Sequence, residues 1–108
     1  MLRIYSDVQS FQRDARALCS RIRVHDANLA SQLRRAAQSV ALNLGEGMGA
    51  SAGMRRKAYS VALHEARECR VAIDVAQAWG YVDRPGEAVL DRLDKIIATL
   101  WKLTRPKR

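Results

Sequence analysis

The spacing of apolar residues is the feature that most constrains the fold of this chain. Valine, leucine, isoleucine and alanine recur at alternating steps of three and four along the sequence, which is the pattern of helices that bury one face. No segment alternates apolar and polar residues for long enough to predict a strand. Four such helical segments with short connections predict an all-α protein, an antiparallel up-and-down four-helix bundle.

The first two predicted helices each carry one apolar stripe. In the first helix the stripe comprises Val8, Phe11, Ala15, Leu18 and Ile22, widened by Cys19 and Val24. In the second helix it comprises Leu29, Leu33, Ala36, Val40 and Leu44. Ser6 or Asp7 can cap the first helix, which is expected to end near residues 24–26. Asp26 or Asn28 can cap the second.

The third predicted helix is the longest, from about Gly53 to Trp79, with Ser51 as a candidate N-cap. Its apolar face comprises Ala58, Val61, Ala62, Ala66, Cys69, Ala72, Ile73 and Ala76. This face is wider than one stripe, so we expect it to pack on two neighbours and its extra width to form part of a contact between subunits. The residues expected in the core include Val40, Leu44, Val61 and Ile73.

Gly80 is expected to end the third helix, and residues 83–86 are a turn by composition. The fourth helix carries Val89, Leu90, Leu93, Ile96, Ile97, Leu100 and Leu103. It leads into a short basic tail at residues 104–108. With 108 residues and no internal repeat, the chain is expected to form one four-helix bundle domain that spans residues 1–108.

The charge balance points to an anionic partner. The chain has 19 Lys and Arg against 11 Asp and Glu, a formal net charge of +8. A surplus this large in a small domain favours nucleic acid, and the alternative is a basic surface without a ligand. No membrane partner is expected, because no helix combines a bulky apolar face with a lysine-rich polar face.

The cysteines and the N-terminal residues indicate a cytoplasmic protein. Cys19 and Cys69 fall at apolar positions of helices, which favours buried free thiols over a disulfide. Residues 1–20 have no apolar central run of the kind that a signal peptide carries.

No motif predicts a metal site, a cofactor or catalysis. His64-Glu65 begins like a zinc protease motif, but Glu68 stands where the second histidine would be. We therefore expect a protein that is not an enzyme and holds neither a metal nor a cofactor.

At the connection between the second and third helices, charged residues have the signs that the helix dipoles disfavour. Gly45 and Gly47 are expected to stop the second helix, because glycine takes the left-handed conformation common just past a helix end. Glu46 then lies near a helix C-terminus and the cations 55–57 open the next helix, where the macrodipole favours the opposite signs. Two interpretations stay open: these cations bind a phosphate, or Glu46 neutralises one of the arginines.

The cationic clusters are the candidate nucleic-acid contacts. The candidate residues are Arg34, Arg35, Arg55, Arg56, Lys57, Lys102 and Arg105. Glu68 is either a solvated carboxylate or a partly buried one that bonds a neighbouring helix end.

One motif resembles a known family. Asn43, Glu46 and Gly47 form Asn-x-x-Glu-Gly at a helix end, and Ala66-Arg67-Glu68-Cys69 follows in the next helix. Together they resemble the S23 family of four-helix bundle proteins, first described as encoded by intervening sequences in bacterial 23S rRNA genes. Gly45, Ala50 and Glu65 depart from the usual pattern of that family.

The resemblance implies an antiparallel four-helix bundle, commonly a homopentamer, and no enzymatic activity. It also implies kinship with the accessory variability protein of diversity-generating retroelements, which binds nucleic acid and a reverse transcriptase. Asn43, Glu46, Gly47 and Glu68 are the matched positions, and we expect them to have a structural role. The leading hypothesis is a basic oligomer that binds nucleic acid, with RNA favoured. The alternative is a scaffold for a nucleic-acid enzyme such as a reverse transcriptase.

Overall fold

Four helices make up most of the chain in the computed structural model, which describes residues 3–83 and 86–105. They are α1 (Arg3–Arg23), α2 (Ala27–Met48), α3 (Ala52–Ala78) and α4 (Glu87–Thr104). Each helix packs on the next one along the chain, and α4 packs back on α1, so the four close into an antiparallel up-and-down bundle. The predicted fold class is confirmed.

The apolar stripes meet along the bundle axis. The five stripe residues predicted for α1 are all buried, and so are Leu33, Val40 and Leu44 of α2. The buried face of α3 is mostly alanine, and α4 contributes Leu93, Ile96 and Leu100. Because small side chains shorten the distance between helix axes, α2 and α3 make the most extensive contact of the four pairs.

Three residues predicted to lie on the apolar stripes are exposed: Val24, Val61 and Leu103, the last of which is 37% exposed near the end of α4. Val24 is 81% exposed, because α1 ends at Arg23 and Val24 falls in the connection to α2. Val61 was expected in the core but is 40% exposed. The apolar face of α3 is wider than its two neighbouring helices can cover, and Val61 lies on the uncovered edge.

The start of α1 differs from the prediction, whereas the start of α2 confirms it. Because α1 begins at Arg3, Ser6 and Asp7 lie inside the helix and do not cap it. Asp7 instead contacts the Lys95 ammonium of α4 at 3.5 Å. Asp26 is the N-cap of α2, where its carboxylate accepts a hydrogen bond from the backbone N–H of Leu29 at 2.9 Å.

The prediction that Gly45 and Gly47 stop α2 is wrong, since this helix continues to Met48 and Gly49 is its C-cap. Gly47 is buried under the ring of Tyr59 from α3. A side chain at position 47 would overlap that ring, so glycine is required here for the close approach of two helices. Tertiary packing thus overrides the low helix propensity of glycine.

The end of α3 is a Schellman motif. Gly80 has a positive φ of 75°, a conformation that glycine adopts without strain. Its N–H donates to the carbonyl of Gln77 at 3.0 Å, and the N–H of Tyr81 donates to the carbonyl of Ala76 at 2.9 Å. The prediction that Gly80 ends this helix is confirmed.

Ion pairs link the neighbouring helices on the outside of the bundle. Arg92 of α4 pairs with Asp14 of α1, and Arg70 of α3 pairs with Asp94 of α4 and with Asp74 of its own helix. All of these side chains are partly solvated, so each pair contributes at most about 1 kcal/mol.

Two predicted segments lie partly outside the described residues. The turn at 83–86 includes residues 84 and 85, and the tail at 104–108 includes residues 106–108, which the structure does not describe. Among the described helices, none has both the length and the apolarity that crossing a membrane requires.

Candidate nucleic-acid interface

An open groove of about 610 Å³ runs between the outer faces of α1 and α2. Its floor is formed by small residues, chiefly Ala15, Ala30 and Ala37. Its α1 wall presents residues at steps of three or four along one side of the helix, which is the spacing of a single stripe. The groove extends from Gln12 to Arg23, a distance of about 16 Å along the helix axis.

Three arginines line this groove. Arg16 and Arg23 stand on α1 and Arg34 on α2, and all three are exposed. No carboxylate lines the groove, and within residues 3–83 and 86–105 none of the three arginines forms an ion pair. The positive charge of this groove is therefore available to a ligand. Three other polar lining residues, Ser20, Ser31 and Gln38, can donate hydrogen bonds to a ligand.

Hydrogen bonds across the floor hold the two walls of the groove together. The Gln12 amide of α1 donates to the carbonyl of Ala37 of α2 at 2.8 Å. The Cys19 thiol donates to the carbonyl of Ala30 at 3.4 Å. Burial raises the pKa of the Cys19 thiol, and the charge of Arg34 opposes that rise. The arginines thus stand on a fixed pair of helices.

The groove between α2 and α3 is different in character. Arg35 lines it together with His64, Glu65 and Glu68, so this groove contains two carboxylates as well as a cation. Arg34 and Arg35 are adjacent in sequence, but neighbouring positions of a helix point about 100° apart. The pair that the sequence suggests as one cluster is therefore divided between two grooves.

Arg55, one of the cations at the connection between α2 and α3, forms two hydrogen bonds there. Its Nε donates to the carbonyl of Gly47 at 3.2 Å, and its Nη2 donates to the carbonyl of Ala50 at 3.0 Å. The carbonyl of Gly47 belongs to the last turn of α2, where a cation complements the helix dipole, and the carbonyl of Ala50 belongs to the connection. Arg55 thus stabilises the connection, whereas Arg56 and Lys57 expose their side chains.

The motif residues Asn43, Glu46, Gly47 and Glu68 have separate environments. The Asn43 amide donates to the carbonyl and the hydroxyl of Ser39, one turn back, at 2.9 and 3.0 Å. Glu46 is exposed and forms no ion pair within the described residues, so the predicted neutralisation of an arginine is not observed. Glu68 is exposed in the groove between α2 and α3, so the alternative in which it is partly buried is wrong.

The last candidate cations stand at the end of α4. Lys102 is exposed in the last turn, and Arg105 is the C-cap. The Arg105 guanidinium lies over the ring of Trp101, 4.3 Å from its centroid, a cation–π contact. The end of α4 shares one pole of the bundle with the connection between α2 and α3, about half the bundle's length from Arg34 and Arg35.

The seven predicted cations therefore do not form one surface, and sequence reasoning missed Arg16 and Arg23. The sequence pattern that could have identified them is their spacing of seven residues, which places both on one side of α1, beside alanines and a cysteine. Within the described residues, no three His, Cys, Asp or Glu side chains gather as a metal site requires.

The match to known proteins agrees with this fold. The model of the 23S rRNA-intervening sequence protein family matches residues 1–102. The chain belongs to this family. The resemblance carried by Asn43, Glu46 and Gly47 is thereby confirmed. A solved structure of this kind is a protein of unknown function from the S23 ribosomal protein family of Bacteroides thetaiotaomicron.

That structure superposes on this chain with a TM-score of 0.87 at 18% sequence identity. The match covers 95% of this chain and 99% of the other, so the two share the whole fold. No curated protein matches the chain.

Proposed function

We propose that this protein binds nucleic acid, with RNA favoured, through the groove between α1 and α2, and that it catalyses no reaction. The observation that carries the proposal is the groove lined by Arg16, Arg23 and Arg34 without a carboxylate. Arginine presents a planar fork of donors that suits phosphate oxygens.

The distribution of charge supports this choice of surface. On the side of α3 and α4, Arg70, Arg92 and Lys95 are paired with aspartates. In the groove the three arginines have no acidic partner among the described residues, so their positive charge can contact a polyanion. Arg56, Lys57 and Lys102 are exposed near the opposite pole and are candidates for a second contact.

The test is fluorescence anisotropy with structured RNA and duplex DNA at two salt concentrations. Three phosphate contacts predict that affinity falls by at least about 20-fold between about 50 and about 200 mM salt, because counterions are released on binding. The triple variant Arg16→Ala, Arg23→Ala, Arg34→Ala should weaken binding and lower the salt slope by about 2 to 3.

A matched control separates the groove from net charge. The variant Arg13→Ala, Arg21→Ala, Arg67→Ala also changes the net charge from +8 to 8 − 3 = +5. These three arginines are exposed and line neither groove. If the control lost as much affinity as the groove variant, binding would depend on total charge and the groove would not be the site.

A second surface supports self-association. Val61, Val71 and Val75 lie on one stripe of α3 and are 40%, 56% and 39% exposed. Val71 and Val75 line the groove between α2 and α3. Exposed apolar residues that share a face are typical of protein contacts. We propose that this face joins copies of the chain, and the family resemblance favours a pentamer.

Light scattering tests the assembly. Wild type should give an oligomer mass at micromolar concentration, and Val71→Glu with Val75→Glu should give a monomer. Val24→Glu is a control for replacing an exposed valine by glutamate outside α3, since Val24 is exposed in the connection between α1 and α2 and does not line the groove between α2 and α3. A monomeric wild type would refute self-association and would favour the alternative, in which the same face binds a nucleic-acid enzyme such as a reverse transcriptase. Pull-downs that recover RNA but no such enzyme would count against that alternative.

A further inference from the structure

Three aromatic rings form a ladder at the pole of the bundle where α1 and α3 end. The His25 ring, in the connection between α1 and α2, stacks on the Tyr81 ring with centroids 5.2 Å apart and planes 5° apart. The Trp79 ring continues the ladder, 6.3 Å from Tyr81 at an interplanar angle of 28°. Both separations fall in the range at which aromatic pairs attract.

The backbone fixes this ladder in place. Trp79 and Tyr81 flank Gly80, whose positive φ turns the chain so that both rings lie on the same side. The Schellman hydrogen bonds hold Tyr81, and the next residue, Val82, is buried in the core at 4% exposure. A ligand that stacks on Trp79 would therefore meet a ring whose support is already ordered, which reduces the entropy lost on binding.

Trp79 is 72% exposed, although it is one of the largest apolar side chains in the chain. The other tryptophan, Trp101, offers a contrast: it is 44% exposed and the Arg105 guanidinium covers one face of its ring. Among the described residues, no cation covers Trp79 in this way. The exposed Trp79 ring is thus free to stack on a flat ligand.

The ladder begins close to one end of the arginine-lined groove. Arg23 and Ala27 line the end of that groove, and His25 lies midway between them in the sequence. Of the two carboxylates nearest the ladder in sequence, Asp26 accepts the capping hydrogen bond of α2, and Asp83 is exposed in the connection to α4. Because His25 follows Arg23 by two residues, a strand whose phosphates contact Arg23 can reach the aromatic ladder.

We infer that Trp79, supported by Tyr81 and His25, is a stacking platform for an unpaired base of single-stranded nucleic acid whose phosphates follow the groove. The inference rests on the proposed function and specifies its ligand class. Bases inside a duplex have both faces covered by their neighbours, so they cannot stack on a side chain. Single strands present free faces, and aromatic side chains next to a basic groove bind them with little sequence preference.

The test uses the full chain and strands of about 15 nucleotides, oligo(U), oligo(dT) and a duplex. In the variant Trp101→Phe, Trp79 is the only tryptophan, and its fluorescence should be quenched by either single strand but not by the duplex. Trp79→Ala should weaken single-strand binding by about 5- to 150-fold, the loss of one stacked base. Trp79→Phe should retain most of the affinity, and duplex affinity should be unchanged in both variants.

The controls distinguish this inference from the proposed function. Trp101→Ala should bind like wild type. For the wild-type protein, the ratio of the oligo(U) and oligo(dT) dissociation constants shows whether RNA or DNA is bound more tightly. If the groove variant loses affinity but Trp79→Ala does not, the platform is refuted and the groove stands. Equal losses for duplex and single strand in Trp79→Ala also refute the platform. Absence of binding to any strand at low salt overturns both proposals.

Discussion

The contact between Gly47 and Tyr59 gives the sharpest test of how α2 and α3 pack. The atom nearest to a Cβ at position 47 would be Cε1 of Tyr59. That Cβ would also lie 2.7 Å from Cδ1 of the same ring and 3.3 Å from Cβ of Ala58. Non-bonded carbon atoms are most stable at about 3.5–4.0 Å. Tyr59 is only 4% exposed, so its ring cannot swing into solvent to make room. Gly47→Ala should therefore destabilise the fold.

Gly45 is the matched control for this substitution. It lies two residues earlier in the last turn of α2, and a Cβ there would meet nothing within 4 Å. Replacing glycine by alanine in a helix gains up to about 1 kcal/mol, and this gain is shared by the two positions. The difference between the variants isolates the clash, which should cost about 1–3 kcal/mol, as overpacking of a core does.

Thermal unfolding by circular dichroism measures the difference. Gly45→Ala should unfold at or above the wild-type temperature, and Gly47→Ala should unfold at least about 4 °C below Gly45→Ala, since 1 kcal/mol shifts Tm by about 4–8 °C in a domain near this size. All samples need one protein concentration, because assembly would stabilise the fold by mass action. Adding Tyr59→Leu should lessen the cost of Gly47→Ala. Equal or reversed stabilities of the two alanine variants would refute this account of the contact.

Three further outcomes follow from single contacts. Arg55→Ala should lose about 1 kcal/mol of stability, because it removes hydrogen bonds to the last turn of α2 and to the connection that follows it. Arg56→Ala should change stability by less than about 0.5 kcal/mol, and equal effects of the two variants in chemical denaturation would contradict this. Asp26→Ala should also cost about 1 kcal/mol, since it removes the N-cap of α2, and an unchanged Tm would refute that role. Burial raises the pKa of Cys69 to about 12 from 9.0, so the unfolded chain loses this proton first, and stability should fall as pH rises from 9.0 towards 12. Cys69→Ala should flatten that dependence in denaturation curves, and an unchanged slope would argue against it.

Local patterns in the sequence predicted most of the helices. The stripe of α1 comes from steps of three and four along one segment, and all five of its members are buried. Asp26 caps α2 because a cap depends on residues within one turn. Gly80 ends α3 for the same reason, since a positive φ is a property of one residue. Such features need no knowledge of the neighbouring helices.

The errors occur where a residue's role depends on another helix. Glycine at position 47 reads locally as a helix end, but its partner is the Tyr59 ring of α3. Asp7 reads locally as a cap, but it pairs with Lys95 of α4. Val61 is apolar like a core residue, but it lies at the edge of the apolar face of α3. Whether its side chain is exposed therefore depends on how far the neighbouring helices extend across that face.

The sequence by itself determined that this protein is a four-helix bundle with a large positive charge and a family motif at the end of α2. Apolar periodicity, capping chemistry and net charge are carried by single segments or by composition, so they can be recognised without coordinates. Only the tertiary structure decided which cations act together. Arg16 and Arg23 meet Arg34 across a groove, while Arg35 faces another and Arg55 binds carbonyls. The physical reason is that a surface site depends on the rotation of each helix about its axis, which packing sets.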